Sequence, residues 1–186
     1  MRKFKLQMQI SVNAIVTVEP GATNFNWDNE VRSFSIENLN AVDAIVLGRK
    51  TAEDFIPYWE NVSKDPTNND YELGKRLTHI PKVVFSAKLK TSKWANAMVA
   101  HGDIAEEIQK LKNREGQDMI VFGGISFVSS LIEHKLIDEA HLLVNPAAFC
   151  KGKTIFKSLK SNLKLAFKGC KPFASGTVLL SYSMVE

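Results

Sequence analysis

The sequence Met119-Ile-Val-Phe-Gly-Gly-Ile-Ser-Phe-Val-Ser-Ser-Leu-Ile132 changes its hydrophobic period at a pair of glycines. Its first four residues are continuously apolar, which is typical of a strand buried on both faces of a parallel sheet. After Gly124 the apolar residues recur at helical spacing, which predicts an amphipathic helix. Glycines permit the sharp turn and leave the N–H groups at the helix start accessible. Such a junction can bind a phosphate, although a plain packing turn has the same pattern.

The composition predicts one globular domain over residues 1–186. The chain has 186 residues, of which 45% are hydrophobic, so it can bury one core. It contains no apolar run of bilayer length and no cleavable signal core, and we therefore expect a cytoplasmic protein without membrane contact. Cys150 and Cys170 lack metal-ligand spacing, and we expect two reduced thiols and no metal site.

The charge pattern permits nucleic-acid binding but does not argue for it. The formal net charge is +4, but the basic residues are dispersed along the chain. No run of Lys and Arg is interleaved with aromatic residues, as a groove for single strands would require. A modest positive charge fits an anionic small molecule equally well.

Apolar runs and helical patterns alternate along most of the chain. Strands are predicted at 3–12, 43–47, 82–85, 97–100, 119–122 and 138–149, and helices at 28–39, from 48, at 103–112 and at 124–135. Residues 57–79 carry few structural signals. Two alternating segments, 163–173 and 177–184, predict a terminal antiparallel hairpin. The pattern indicates an α/β fold with a mostly parallel sheet and an antiparallel edge.

A second strand-glycine-helix junction lies at Gly48-Arg49-Lys50-Thr51. Cations are electrostatically misplaced at a helix N-terminus, where the macrodipole already supplies positive charge. A bound anion would remove the conflict, while the simpler alternative is that Arg49 and Lys50 point to water. Ser86 follows the predicted strand 82–85 at the same edge of the sheet, where it can cap a turn or contact a ligand. The loop 18–27 after the first strand is a candidate lid or a solvated connection.

Five short motifs resemble the dihydrofolate reductase-like superfamily in order and spacing. They are Leu47–Thr51, Pro81–Ser86, Val121–Gly124, Ile137–Ala140 and Gly152–Phe156. The resemblance covers nearly the whole chain, and the nearest likeness is to bacterial stand-alone proteins similar to the C-terminal reductase domain of RibD, the bifunctional riboflavin-biosynthesis enzyme. It implies a three-layer fold around a twisted, mostly parallel sheet, usually as a homodimer.

The resemblance also implies NADPH across the carboxyl ends of the strands. The matching segments in relatives hold the pyrophosphate and the adenosine-ribose phosphate, and Arg49 and Lys50 would favour a 2′-phosphate. The expected cofactor-binding residues are Ala14, Ile15, Leu47, Gly48, Arg49, Lys50, Thr51, Phe85, Ser86, Phe122, Gly123, Gly124, Ile125 and Ser126.

The activity implied is hydride transfer from the nicotinamide to an electrophilic carbon of a bound heterocycle or sugar. For a RibD-like reductase the acceptor is 5-amino-6-(5-phosphoribosylamino)uracil, bound between the loop after the first strand and the helix 28–39. The expected substrate-binding residues are Asn13, Trp27, Arg32 and Trp59. No catalytic residue is assigned.

Three departures from the family pattern leave alternatives open. Asn13-Ala14 stands where many relatives have Asp-Gly, and Arg32 stands where dihydrofolate reductases carry an acid. The relatives' glycine-rich turn is Phe149-Cys150-Lys151-Gly152 here. A dihydrofolate reductase is therefore less favoured, and a nucleotide-binding protein without turnover is the second hypothesis. A basic nucleic-acid binder ranks behind both.

Overall fold

The computed structural model describes residues 2–18 and 25–185, and its described strands form one sheet. The strands are β1 (Phe4–Ser11), β2 (Val42–Gly48), β3 (Lys82–Phe85), β4 (Ala97–Ala100), β5 (Asp118–Val121), β6 (Glu139–Asn145), β7 (Leu165–Pro172) and β8 (Val178–Met184). The helices are α1 (Asn29–Asn38), α2 (Arg49–Val62), α3 (Tyr71–His79), α4 (Ile104–Lys112) and α5 (Ile125–Glu133). Helices therefore connect most of the strands, as an α/β fold requires.

The sheet has the order β4-β3-β2-β5-β1-β6-β8-β7. The six strands from β4 to β6 are parallel, whereas β8 is antiparallel to both of its neighbours. The predicted α/β class, the parallel sheet and the antiparallel terminal hairpin are confirmed. In the register of β2 and β3, Gly48 lies opposite Phe85. Since parallel strands end at a common edge, the junctions after β2, β3 and β5 lie together.

Helices cover both faces of the sheet and give it three layers. Apolar residues of α4 and α5 pack in one cluster with Leu6 of β1 and Val46 of β2. On the opposite face, α2 and α3 pack against Ile45 and Leu47 of β2. Helix α1 packs over Leu143 of β6. Neighbouring residues of β2 thus enter different clusters, as the two-residue period of a strand requires.

The stretch 57–79, which carried few sequence signals, is largely helical. Helix α2 continues through Pro57 to Val62, and α3 follows. The two helices cross closely, because a Cβ added to Gly74 would lie 2.8 Å from Cγ1 of Val62. Leu73 and Leu77 of α3 are buried in the core. Tertiary packing therefore outweighs the helix-breaking tendency of Pro57 and the low apolar content of the stretch.

Two further segments differ from the prediction or fall outside the described chain. Strand β6 ends at Asn145, so Pro146 follows the strand instead of interrupting one that reaches residue 149, because proline cannot donate to the ladder. Of the candidate lid 18–27, residues 19–24 lie outside the described residues. Throughout the described ranges, none of the helices is long and apolar enough to cross a bilayer.

Candidate functional site

The two glycine junctions lie against each other at the carboxyl edge of the sheet. Gly124 has a φ of 83°, and a Cβ added there would lie 2.5 Å from Oγ1 of Thr51. A Cβ added to Gly48 would lie 3.2 Å from Cβ of Phe127. The start of α2 therefore touches the start of α5. Neither glycine has room for a larger residue without a shift of its neighbour.

The helices that begin at these glycines have no side-chain caps among the described residues. No side chain accepts a hydrogen bond from the first turn of α2 or α5. By contrast, Asp28 caps α1 through the N–H of Glu30 (2.8 Å), and Asp103 caps α4 through the N–H of Ala105 (2.9 Å). The first-turn N–H groups of α2 and α5 thus stay available to an anion.

Arg49 at the first position of α2 is already paired within the protein. Its Nη1 donates to both carboxylate oxygens of Glu53, at 2.8 and 2.9 Å. This (i, i+4) contact relieves part of the repulsion between the guanidinium and the helix dipole. Both side chains are partly exposed, and such a pair contributes about 0–1 kcal/mol, so a phosphate could compete with Glu53. Lys50 is exposed.

Ser86 caps a turn at the end of β3. Its Oγ accepts hydrogen bonds from the N–H groups of Lys88 and Leu89, both at 3.0 Å. Of the two roles considered for Ser86, capping a turn and contacting a ligand, turn capping matches the contacts that Oγ makes. The O–H of Ser86 is still able to donate a hydrogen bond. The neighbouring Phe85 packs on Phe127, with ring centroids 5.4 Å apart.

The remaining residues predicted to bind the cofactor, on or after β2 and β5, differ in how deeply they are buried. Leu47 and Gly123 are buried, and the Leu47 side chain belongs to the core. Phe122 is partly exposed and stacks on Phe55, with ring centroids 5.9 Å apart. Ile125 and Ser126 form the first turn of α5. Leu47 is 0% exposed, so neither its side chain nor its backbone is open to a ligand, whereas Phe122, Ile125 and Ser126 are at least partly exposed.

Asn13 joins the loop after β1 to the loop after β6. Its Nδ2 donates to the carbonyl of Phe149 (2.7 Å), and its Oδ1 accepts from the N–H of Phe149 (3.2 Å) and from Oγ of Ser11 (2.8 Å). Ala14 has a φ of 60°, and the N–H of Ile15 donates to Oγ of Ser11 (2.9 Å). The Asn13 amide therefore fixes the conformation of this loop.

A cavity of about 360 Å³ lies beside the junctions, between α1 on one side and α2 and α3 on the other. We call it the aromatic cleft. It is lined by Gln7, Met8, Gln9, Val16, Phe25, Trp27, Ser35, Phe55, Trp59, Leu73, Leu77, Phe122 and Leu143. Five of these residues are aromatic, and none of the thirteen is titratable. The cleft is therefore suited to a flat apolar group.

The predicted substrate residues are placed differently with respect to the aromatic cleft. Trp27 and Trp59 line it, and Asn13 is outside its lining. Arg32 also lies outside the lining, where its Nε donates to Oδ1 of Asp70 (2.5 Å). Nε1 of Trp27 donates to the same oxygen (2.9 Å). Asp70 thus links Trp27, in the wall of the cleft, to Arg32, which lies outside the lining.

Sequence reasoning missed Gln7, Gln9 and Ser35. Gln7 and Gln9 lie two residues apart on β1, so both side chains project from the face opposite the buried residues Leu6 and Met8. Nδ2 of Asn145 donates to Oε1 of Gln9 (3.0 Å). Two amides on one face of a central strand were the available signal, since a parallel strand is usually apolar on both faces.

Titratable groups and cysteines lie away from the lining of the aromatic cleft. Burial lowers the pKa of His141, whose Nδ1 is 3.0 Å from Oγ of Ser181. Cys150 and Cys170 are free and exposed. Over the described ranges, no group of three His, Cys, Asp or Glu side chains could hold a metal ion. The geometry therefore shows an edge with uncapped helix starts beside a cleft whose described lining is uncharged.

Comparison with known proteins identifies similar chains and folds. The uncharacterized protein YyaP of Bacillus subtilis (strain 168) is 27% identical over 181 residues, which cover 97% of this chain and 94% of YyaP. The diaminohydroxyphosphoribosylaminopyrimidine deaminase/5-amino-6-(5-phosphoribosylamino)uracil reductase of Thermotoga maritima superposes with a TM-score of 0.72 at 16% identity, covering 99% of this chain and 57% of that chain.

A third similarity connects the fold to dihydrofolate reductase. The Enterococcus faecalis enzyme complexed with NADP(H) and RAB-propyl superposes with a TM-score of 0.64 at 15% identity, covering 99% of this chain and 97% of that one. The dihydrofolate reductase-like fold is therefore confirmed. The family model of the RibD C-terminal domain matches residues 2–179. The chain belongs to the RibD C-terminal domain family.

Proposed function

We propose that the protein is an NADPH-dependent reductase that transfers a hydride to a small heterocyclic acceptor. The observation that carries the proposal is the contact between the two uncapped glycine junctions beside the aromatic cleft. One region offers N–H groups to phosphates, and the adjoining one offers aromatic walls to a ring. The family membership and the reductases of similar fold support the same activity.

The residues at the carboxyl edge fit a dinucleotide phosphate. The N–H groups at the starts of α2 and α5 would hold the pyrophosphate, because no side chain occupies them. Gly48 and Gly124 allow the two helix starts to approach each other, because a Cβ added to them would meet Phe127 and Thr51. Arg49 and Lys50 would hold the 2′-phosphate, with the O–H of Ser86 as a further donor. An acidic residue on the ribose would be expected instead for NADH.

The aromatic cleft would orient the acceptor and exclude water from it. A bound nicotinamide supplies the hydride. Phe55 and Phe122 stack on each other at the end of the cleft that adjoins α2 and β5, where they would hold the heterocyclic ring of the acceptor. Because none of the described lining residues is titratable, the acceptor itself or solvent at the mouth of the cleft would provide the proton.

The acceptor class of the proposal is that of the RibD-like reductases, a pyrimidine heterocycle related to 5-amino-6-(5-phosphoribosylamino)uracil. A dihydrofolate reductase is less supported, because Arg32 replaces the expected acid and is paired with Asp70. A binding protein without turnover remains the second candidate. Asn13, in place of an aspartate, favours it, since its amide is bonded to Phe149.

The proposal includes a homodimer, which the family resemblance implies, and a cytoplasmic location. Two exposed free thiols, Cys150 and Cys170, are consistent with a reducing compartment. Analytical ultracentrifugation of the purified chain tests the dimer.

A titration combined with a turnover assay tests the proposed function. NADPH should quench the fluorescence of the tryptophans in the aromatic cleft and bind more tightly than NADH. Oxidation of NADPH is then followed with 5-amino-6-(5-phosphoribosylamino)uracil, with its unphosphorylated form and with dihydrofolate. Binding without oxidation of NADPH supports the binding protein. Absence of dinucleotide binding, with salt-sensitive retention on nucleic acid, contradicts the proposal.

A further inference from the structure

The lining of the aromatic cleft carries no formal charge in the part of the chain that the structure describes. Its polar members are Gln7, Gln9 and Ser35, and the other ten are apolar or aromatic. Residues 19–24, which lie outside the described ranges, read Glu-Pro-Gly-Ala-Thr-Asn and contain no Lys or Arg. The cleft therefore lacks a cation of its own that could neutralise an anionic ligand.

The amide of Gln7 lies on the floor of the cleft and is held in one orientation. Gln7 is 4% exposed, and its Nε2 donates to Oγ of Ser35 (2.8 Å). Oγ of Ser35 in turn donates to the carbonyl of Val31 (2.8 Å), and Nδ2 of Asn38 donates to Oε1 of Gln7 (2.8 Å). Because Oγ has given its proton to Val31, it accepts from Gln7, which fixes the amide direction.

The partners of Gln7 leave part of its bonding capacity unused. A carboxamide has two N–H donors and two carbonyl lone pairs. Ser35 takes one donor and Asn38 occupies one lone pair. One N–H and one lone pair remain for a ligand. A buried amide with both functions matches a heterocycle that presents its own C=O and N–H side by side.

Arg32, which is linked to a wall of the cleft through Asp70 and Trp27, is neutralised. Arg32 donates through Nε to Asp70 (2.5 Å) and through Nη1 to Oδ1 of Asn29 (2.5 Å). The side chains of Arg32 and Asp70 are 15% and 13% exposed, so the pair is largely shielded from water. Asp70 also accepts from Nε1 of Trp27, which lines the cleft. A ligand phosphate at the mouth would face the Asp70 carboxylate as well as Arg32.

We propose that the aromatic cleft selects a flat, uncharged heterocycle with an amide edge and discriminates against anionic forms such as phosphate esters. This inference rests on the proposed reductase function and sets its acceptor apart from the phosphorylated pyrimidine of the RibD-like reductases. Gln7 forms hydrogen bonds with the amide edge of the ligand, and the aromatic walls stack on its ring. Desolvating an anion without a paired cation is strongly unfavourable, whereas an uncharged ring is stabilised by each aromatic contact.

Binding of two matched probes without cofactor tests this specificity. The probes are lumazine, a pteridinedione with an amide edge, and 6-carboxylumazine, titrated against the tryptophan fluorescence of the full chain at mildly acidic pH, where the lumazine ring is uncharged. Lumazine should bind at least about tenfold more tightly. Equal or tighter binding of the carboxylate, or no lumazine binding at millimolar concentration, overturns the inference.

Two variants assign the effect to the named residues. Gln7→Leu keeps the approximate volume and should weaken lumazine by about tenfold, while NADPH affinity is retained as evidence of folding. Asp70→Asn keeps the bonding oxygen but frees the charge of Arg32. It should tighten 6-carboxylumazine several-fold and leave lumazine within about twofold. Unchanged lumazine binding in Gln7→Leu contradicts the role of Gln7, and an unchanged ratio in Asp70→Asn contradicts charge neutralisation by Asp70.

The outcomes separate this inference from the proposed function. NADPH binding and oxidation that occur only with the phosphorylated uracil derivative overturn the specificity and support the reductase. Lumazine binding that depends on Gln7, without any NADPH binding, supports the specificity and contradicts the reductase. The two results come from different titrations, so neither depends on the other.

Discussion

The two edges of the central sheet differ in whether their polar groups have side-chain partners. At the amino edge, charged side chains are paired with one another. These pairs are Arg2–Asp43, Lys3–Glu139, Lys5–Asp118, Lys112–Asp138 and Lys168–Glu139. At the carboxyl edge, the first turns of α2 and α5 have no side-chain acceptors among the described residues. The charged side chains named at the amino edge are therefore paired within the protein, whereas first-turn N–H groups at the carboxyl edge remain available as hydrogen-bond donors.

Because of this difference, we expect the amino edge to contribute mainly to folding stability and the carboxyl edge mainly to ligand binding. Side-chain partners at the amino edge contribute to folding and leave little for a ligand. Within the carboxyl edge, the starts of α2 and α5 give up cap hydrogen bonds worth roughly 0.5–2 kcal/mol each, which Asp28 and Asp103 supply to α1 and α4. A ligand that supplies the missing acceptors recovers this free energy on binding. Substitutions at the two edges should accordingly change different measurements.

The largest expected effect comes from filling the contact between the junctions. Gly124→Val places a β-branched residue at a φ of 83° and directs its Cβ to within 2.5 Å of Oγ1 of Thr51. We expect NADPH affinity to fall about a hundredfold or more, which is about 2.7 kcal/mol. Backbone strain should also lower the free energy of unfolding by roughly 1–3 kcal/mol. Fluorescence titration and urea unfolding measure the two effects separately.

Gly169→Val in β7 is the matched control. No atom lies within 4 Å of a Cβ added to Gly169, and its φ lies outside the left-handed region. This variant should bind NADPH like the wild type. A similar loss of affinity in both variants would show that the effect of Gly124 is not specific to the junction.

At the amino edge, Glu139 should govern stability in acid. Burial disfavours its charged form, but hydrogen bonds from Lys168 and Lys3 outweigh burial and lower the pKa of Glu139 from 4.5 to about 2. Because the folded pKa is below the unfolded one, the stabilisation is complete above about pH 4.5 and is lost as the pH falls toward 2. After screening at the half-exposed lysines, it amounts to about 1–2 kcal/mol.

Urea unfolding of Glu139→Gln checks this expectation. The variant should be about 1–2 kcal/mol less stable than the wild type at neutral pH, and the difference should shrink between pH 4.5 and 2. Its NADPH affinity at neutral pH should be unchanged, because Glu139 lies at the edge opposite the glycine junctions. A constant stability difference across this pH range would contradict the lowered pKa.

The carboxyl edge was largely predictable from the sequence, because local patterns specify it. Lys82–Phe85 forms β3 at the predicted residues, and Gly124 begins α5 as the change of period indicated. Both signals depend on a short buried run bounded by turn residues, so tertiary contacts had little to alter. The sequence also predicted that Gly48 and Ser86 lie at the same edge of the sheet, because the carboxyl ends of parallel strands share one edge.

The walls of the aromatic cleft were less predictable, because distant segments form them. Helix α3 places Leu73 and Leu77 in the lining, although the sequence around it carries few helix signals. Asp70 precedes α3 as a possible cap, but its carboxylate accepts from Trp27 and Arg32 instead. Side-chain pairing between segments has no local sequence signature, so neither contact could be inferred from spacing.

The smallest expected effect at the carboxyl edge concerns nucleotide preference. Arg49→Ala removes a cation of the first turn of α2 and leaves Glu53 without its partner. We expect NADPH affinity to fall about tenfold, while NADH, which lacks the 2′-phosphate, changes by less than about twofold. The matched variant Glu53→Gln frees Arg49 and should tighten NADPH by about two- to threefold, an effect that added salt reduces. Fluorescence titration of both nucleotides measures these changes, and equal losses for NADPH and NADH in Arg49→Ala would assign the 2′-phosphate to Lys50 or another residue.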